Sequence, residues 1–72
     1  MLIFEDADKE KEILVEASSI VAIEEAHHGK NSVLYVQSGH KFHVTASVTA
    51  VRDAMRAAKD NPARDFEVSK DA

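Results

Sequence analysis

The sequence has no cysteine and no tryptophan, and it contains only one proline and two glycines among 72 residues. The absence of cysteine excludes disulfides and thiolate metal sites, so a chain this short depends on its hydrophobic core, on a metal held by other ligands, or on association. The two glycines, Gly29 and Gly39, each separate two strand-like segments and do not form a phosphate-binding glycine loop.

Long hydrophobic runs are also missing. No apolar segment approaches the length of about 20 residues that crosses a bilayer. The apolar residues 2–4 are followed at once by Glu5 and Asp6, a pattern that does not fit a signal peptide. We therefore expect a soluble, cytoplasmic protein without membrane association.

Positive charge is in deficit, with nine Lys and Arg against thirteen Asp and Glu and a formal net charge of -4. Affinity for nucleic acid normally depends on clustered cations, so this balance disfavours nucleic acid as a partner. The exception is a stripe on one side of the predicted helix, formed by Arg52, Arg56 and Lys59. A composition of 44% hydrophobic and 31% charged residues is typical of a folded globular domain.

Hydrophobic periodicity predicts an α+β fold, an antiparallel β-meander of four to five strands followed by one C-terminal amphipathic helix packed on one face. Several short segments are rich in β-branched or aromatic residues and are bounded by turn-forming residues: 2–4, 13–15, 20–23, 33–37 and 40–45. From residue 46 to 60 the period changes, because Val48, Val51, Met55 and Ala58 recur at helical spacing.

The predicted helix has recognisable ends. Thr45 or Ser47 can cap its start, and Asn61-Pro62 ends it. We assign residues 1–62 to a single α+β domain and residues 63–72 to a charged C-terminal tail. This tail is either disordered or anchored to the sheet by Phe66 and Val68.

Both faces of the predicted central hairpin are partly apolar. With Ser38-Gly39 as a two-residue turn, Leu34 lies opposite His43, and cross-strand partners share a face. One face then holds Val33, Tyr35, Phe42 and Val44, and the other holds Leu34, Val36, Lys41 and His43. One helix covers only one face, so we predict that the second face binds another copy of the chain through Leu34, Val36 and His43. The alternative is that the N-terminal hairpin or the tail shields these residues.

Four histidines raise the question of a metal site, namely His27, His28, His40 and His43. The first two lie at one end of the 33–37 strand and His40 lies at the other, about 15 Å away at the usual rise per strand residue. A common site within one subunit is therefore not expected, and we predict no metal and no cofactor. Glu24-Glu25 followed by His27 resembles an acid and base cluster, but successive strand residues face opposite ways. We predict no catalytic residues and no enzymatic activity.

The segment from about Lys11 to Ala58 resembles the FlbD-type small proteins found with bacterial flagellar genes. The residues that carry the resemblance are the runs 19–25, 32–36 and 38–44, followed by Ser47 and Val51 at the helix entry. A related pattern, a strand followed by the entry to a helix, occurs in the strand-rich LytTR-type DNA-binding domains. The resemblance implies a small accessory or regulatory protein, and it implies no catalytic residues.

These observations predict a non-catalytic protein-interaction or regulatory module that acts as a homodimer and binds another protein. The alternative is a nucleic-acid-binding regulatory protein that uses Arg52, Arg56 and Lys59.

Overall fold

A computed structural model describes residues 1–68 of the chain, which form six strands and one α-helix. The strands are β1 (Leu2–Glu5), β2 (Glu12–Val15), β3 (Ile20–Ala26), β4 (Asn31–Val36), β5 (Lys41–Val44) and β6 (Phe66–Glu67), and the helix is α1 (Val48–Asp60). A short 3₁₀ helix, Ala17–Ser19, joins β2 to β3. The predicted α+β class is confirmed.

The strands form two three-stranded sheets, with the orders β2-β1-β6 and β3-β4-β5 in the described part of the chain. The neighbours in these sheets are antiparallel except for β1 and β6, which are parallel. The sheets meet where β1 ends and β5 ends. There, the Ala7 N–H donates to the His43 carbonyl at 2.9 Å and the Thr45 N–H donates to the Glu5 carbonyl at 3.1 Å.

The segment after the helix returns to the first strand. Phe66 and Glu67 pair in parallel with Leu2 and Ile3, and Val68 is buried in the core. Residues 66–68 are therefore anchored to the first sheet, which is one of the two alternatives predicted for the tail. They extend the fold beyond the predicted boundary at residue 62. Residues 69–72 of the predicted tail lie outside the described residues.

The helix begins and ends close to the predicted positions. Ser47 is its N-cap, and the side-chain oxygen of Ser47 accepts from the Ala50 N–H at 3.1 Å. Asn61 is the C-cap, directly before Pro62, which does not continue a helix. The residues of α1 that are buried are small or branched: Ala50, Val51 and Ala58.

One hydrophobic cluster joins both sheets and the helix. Small side chains on α1 allow the helix to lie close to the sheets, and the larger side chains come from the strands. The buried apolar members are Leu2, Phe4, Val15, Ile20, Leu34, Val44, Ala46, Ala50, Val51, Ala58 and Val68.

The register of the β4 and β5 hairpin differs by one residue from the prediction. Leu34 pairs with Phe42, Val33 pairs with His43, and Tyr35 pairs with Lys41. The loop contains three residues, 37–39, because the Val36 N–H donates to the His40 carbonyl at 3.1 Å. Such loops combine a tight turn with a final residue in the left-handed conformation. Gly39 has a φ of +93° and supplies that residue.

The Gly39→Ala variant is expected to lower the free energy of unfolding by about 1 kcal/mol, because an alanine Cβ is unfavourable at this positive φ. No atom lies within 4 Å of the added Cβ, so any loss comes from backbone conformation and not from a clash. Urea unfolding followed by circular dichroism measures the change. A variant with Gln37→Ala, at an exposed position in the same loop, is the control, and equal stability of Gly39→Ala and the wild type would contradict this conformation.

Candidate interaction surface

The structure separates the three residues that were predicted to form one interface. Leu34 is fully buried, with 0% exposure, and Val36 packs against the same core. His43 lies on the opposite, outer face of the second sheet, because its partner is Val33. The predicted grouping of Leu34, Val36 and His43 is therefore wrong, since the additional loop residue moves the side chains of one strand to the other face relative to its neighbour.

The outer face of the second sheet is mixed in polarity. Its apolar members are Val33 and Tyr35 on β4 and Ala22 on β3, and its polar members are Glu24, Lys41 and His43. The apolar residues of the inner face, by contrast, contribute to the core. The outer face is thus the surface of this sheet that can contact another molecule.

An open cleft of about 730 Å³ lies between this outer face and the hairpin of β1 and β2. Its size falls within the range of about 300–1,000 Å³ that is common for ligand sites. Apolar and aromatic side chains form part of its lining and charged side chains form the rest. The lining residues are Asp6, Asp8, Lys9, Lys11, Glu12, Ile13, Glu24, Val33, Tyr35, Lys41, Phe42 and His43.

Two acidic side chains of the cleft are occupied by hydrogen bonds within the chain. The Asp6 carboxylate accepts from the backbone N–H groups of Asp8 and Lys9 at 2.8 and 2.9 Å, and these bonds lower the pKa of Asp6. The Tyr35 hydroxyl donates to Glu24 at 2.8 Å, a hydrogen bond that raises the pKa of Tyr35. Both carboxylates therefore stabilise the walls of the cleft.

His43 connects three segments at one end of the cleft. Its Nδ1 atom lies 3.6 Å from the Asp8 carboxylate, and its Nε2 atom lies 3.4 Å from the Asn31 amide nitrogen. The ring of His27 is stacked on that of His43, with centroids 5.2 Å apart and planes 5° apart. The His43 side chain is 25% exposed, so these contacts hold it in place on the outer face.

The lining of the cleft carries charges of both signs. Within residues 1–68, no carboxylate lies within salt-bridge distance of Lys9, Lys11 or Lys41. The four carboxylates of the lining outnumber these lysines, and the hydrogen bonds to Asp6 and Glu24 leave the negative charge of both in place. The cleft is therefore acidic on balance, like the whole chain.

The histidines lie at both ends of the second sheet. His27 and His43 come together, while His40 lies at the other end of the sheet and contacts Ser38, with 3.0 Å between Nδ1 and the hydroxyl oxygen. Within the part of the chain that the structure describes, no group of three or more His, Cys, Asp or Glu side chains could hold a metal ion.

The basic stripe of the helix is exposed, as its spacing predicted. Arg52, Arg56 and Lys59 all lie on the outer side of α1, where Asp53 and Asp60 are also exposed. Negative charge is therefore interspersed with the stripe. Among residues 1–68, no helix is long and apolar enough to cross a membrane.

Strand β3 presents a second exposed feature. It is seven residues long and lies at the edge of its sheet, where β4 is its one neighbouring strand among residues 1–68. A register shift between Ile20 and Ala22 leaves Val21 as an additional residue, and Val21 is 61% exposed. Leu14 on β2 is the other large apolar side chain of comparable exposure in the described residues, at 54%.

These features define a small α+β protein made of two three-stranded sheets and one helix, with a cleft between the sheets and a free strand edge. Comparison of the chain with protein-family models, with curated proteins and with solved structures found no match.

Sequence reasoning missed the cleft residues Asp6, Asp8, Lys9 and Lys11. They belong to the connection between β1 and β2, which the sequence shows only as a charged turn. One signal was present, because Lys41 and His43 alternate with the apolar Phe42 and Val44 and so indicate a polar outer face on β5. Nothing in the local sequence shows that the turn folds over this face.

Proposed function

We propose that this chain is a small non-catalytic protein-interaction module that acts as a homodimer in the cytoplasm. The observation that carries the proposal is the free edge of β3 with its exposed apolar residue Val21. A long edge strand offers unpaired backbone N–H and C=O groups, and such edges pair readily with other strands. The resemblance to FlbD-type accessory proteins supports a regulatory role for the module.

The sequence of β3 is compatible with pairing to a second copy. In an antiparallel arrangement centred on Ala22, Val21 lies opposite Ile23 of the partner subunit. Glu24 then faces an apolar residue and Glu25 faces a serine, so no carboxylate lies directly opposite another. This contact replaces the predicted interface, whose residue Leu34 is buried within one subunit.

The Val21→Lys variant is expected to be a monomer under conditions where the wild type is a dimer, because a lysine at this position opposes strand pairing at an edge. Light scattering after size exclusion measures the mass, with 7.9 kDa expected for the monomer. Leu14→Lys, on the edge strand of the other sheet, is the control and should retain the dimer mass. A monomeric wild type at high micromolar concentration would overturn the proposed dimer.

The alternative function, nucleic-acid binding, depends on the exposed residues Arg52, Arg56 and Lys59. A DNA affinity that falls steeply with salt would support this alternative, and absence of binding at low salt would remove it.

A further inference from the structure

We infer that the free edge of β2 binds an extended segment of a partner protein in which basic and apolar residues alternate on one side. This inference rests on the proposed interaction function and adds the chemistry of the partner to it. Three observations carry it: the outward backbone groups of β2, the exposed side chain of Leu14, and the carboxylates that flank Leu14 on the same face.

The backbone of β2 has hydrogen-bonding groups on the side away from β1. This strand lies at the edge of the first sheet, where β1 is its one neighbouring strand among residues 1–68. The Asp6 N–H donates to the Lys11 carbonyl at 2.8 Å, so Lys11 directs its backbone groups to the side of β1. In an antiparallel ladder every second residue directs its backbone groups to the same side. Glu12 and Leu14 therefore direct theirs outwards, where an added strand can pair with them.

The outer face of the first sheet has an exposed apolar centre. Leu14 pairs with Ile3, and cross-strand partners share a face, so these two side chains lie together. The neighbouring residues Leu2 and Val15 face the other way and are buried in the core. Leu14 is 54% exposed, and an apolar side chain on an added strand would cover it.

Carboxylates surround this apolar centre. Glu12 and Glu16 lie two positions before and after Leu14 in extended chain, so all three exposed side chains face the same way. Glu5 pairs directly with Glu12, and Glu67 of β6 pairs with the residue beside Leu14. Strands β1, β2 and β6 contain no lysine or arginine, and none of these carboxylates forms a salt bridge among residues 1–68. Like charges at paired positions are unfavourable, so a cation on an added strand relieves this repulsion.

The same charges disfavour a second copy of the chain at this edge. In an antiparallel pair of β2 strands centred on Leu14, Glu12 would lie opposite Glu16 of the partner subunit. The proposed contact between two β3 strands places no carboxylate opposite another. The two edges belong to different sheets, so self-association through β3 leaves β2 for a different, basic chain.

The alternation of side chains on β2 defines the complementary segment. A strand added beside β2 places an apolar residue opposite Leu14 and basic residues opposite Glu12 and Glu16. Its facing residues therefore read basic, apolar, basic in either chain direction. Complementary charge of this kind increases both the specificity and the rate of association.

The test uses the full chain, labelled with nitrogen-15, and two synthetic peptides in NMR titrations at an ionic strength of about 0.15 M, which limits long-range attraction between charges. One peptide has threonine at every second position and lysine, valine and lysine at the positions between. The other contains the same residues with its lysines adjacent. The alternating peptide is expected to bind at least about tenfold more tightly and to slow hydrogen exchange at the Glu12 and Leu14 amides.

The paired substitution Glu12→Lys with Glu16→Lys is expected to remove at least about tenfold of the affinity for the alternating peptide, because lysine then lies opposite lysine. The matched control is Asp53→Lys with Asp60→Lys at exposed positions of the helix. This control changes the net charge by the same amount and should retain the wild-type affinity.

The Leu14→Lys variant is expected to lose the peptide and retain the dimer mass, whereas Val21→Lys is expected to lose the dimer and retain the peptide. Equal affinity for the two peptides, no binding of either at millimolar concentration, or equal losses in the β2 and helix variants would each overturn the β2 inference. A dimer that Leu14→Lys dissociates and Val21→Lys does not would also overturn it, because a second copy would then occupy this edge.

Failure of the β2 inference and failure of the proposed dimer give different results. A protein that is dimeric by light scattering but binds neither peptide would contradict only the β2 inference. A monomeric protein that binds the alternating peptide would contradict only the dimer.

Discussion

Replacing Leu34 with alanine is expected to lower the free energy of unfolding by about 2–5 kcal/mol, the usual range for truncating a buried leucine. Leu34 is fully buried within a single subunit and lies on the inner face of β4, opposite Phe42. The loss combines the transfer free energy of the missing methyl groups with the cavity that remains. In a chain of 72 residues, such a loss removes a large part of the total stability.

Urea unfolding of the wild type and the variant measures this change. Leu14→Ala is the matched control, because it makes the same chemical change at a side chain that is 54% exposed, and its effect should stay within about 0.5 kcal/mol. The sequence prediction put Leu34 on the face that binds a second copy. A Leu34→Ala variant as stable as Leu14→Ala would contradict the burial of Leu34 in the core.

The Ser32→Ala variant is expected to lose about 1–3 kcal/mol, although the substitution removes only one oxygen atom. The fully buried Ser32 hydroxyl donates to the Ala46 carbonyl at 2.7 Å and so ties β4 to the segment that leads into α1. Without the hydroxyl, the buried carbonyl of Ala46 loses this hydrogen bond. The cost is that of leaving a buried acceptor unsatisfied.

Thermal or urea unfolding quantifies the effect of Ser32→Ala, and Ser18→Ala provides the comparison, since Ser18 is exposed. Hydrogen exchange at the Val51 amide, which bonds to the Ser47 carbonyl in the first turn of α1, gives a local measurement. Faster exchange there is expected if the hydroxyl of Ser32 anchors the helix entry. A Ser32→Ala variant as stable as Ser18→Ala would show that this hydrogen bond contributes nothing.

Local sequence signals predicted the elements of this fold well. The change of hydrophobic period near residue 46 located α1, and Ser47 and Pro62 marked its ends because capping and proline effects are determined by neighbouring residues. Strands β3, β4 and β5 were recognisable from β-branched and aromatic residues. The sixth strand was not predicted as such, because two residues give no periodicity to count.

The same local signals did not determine the register between β4 and β5. Gly39 follows Ser38 and can serve a two-residue or a three-residue loop, and the two cases differ by one position. In β4 the residues at 32, 34 and 36 and those at 33 and 35 both include apolar side chains, so the pattern of this strand did not decide between them. The predicted dimer interface therefore included Leu34 and Val36, which the structure places in or against the core.

The cleft depends on long-range contacts and was harder still to predict. Asp8 and His43 are far apart in the sequence, and they meet only because Ala7 forms a backbone hydrogen bond to β5. The Asp6 hydrogen bonds that shape the turn are local, and aspartate commonly forms such turns. The sequence therefore indicated that a turn exists there, but it did not indicate which strand lies beneath it.

The parallel pairing of β1 with β6 has a consequence for how this fold forms. The amino group of Met1 contacts the Arg64 carbonyl, 63 positions away, and Leu2 and Ile3 pair with Phe66 and Glu67. The hairpin of β1 and β2 can form from neighbouring residues, but its sheet is complete only when these distant segments meet. Contacts of such high sequence separation slow folding, because the entropy of closing the long loop is lost before the contacts are gained.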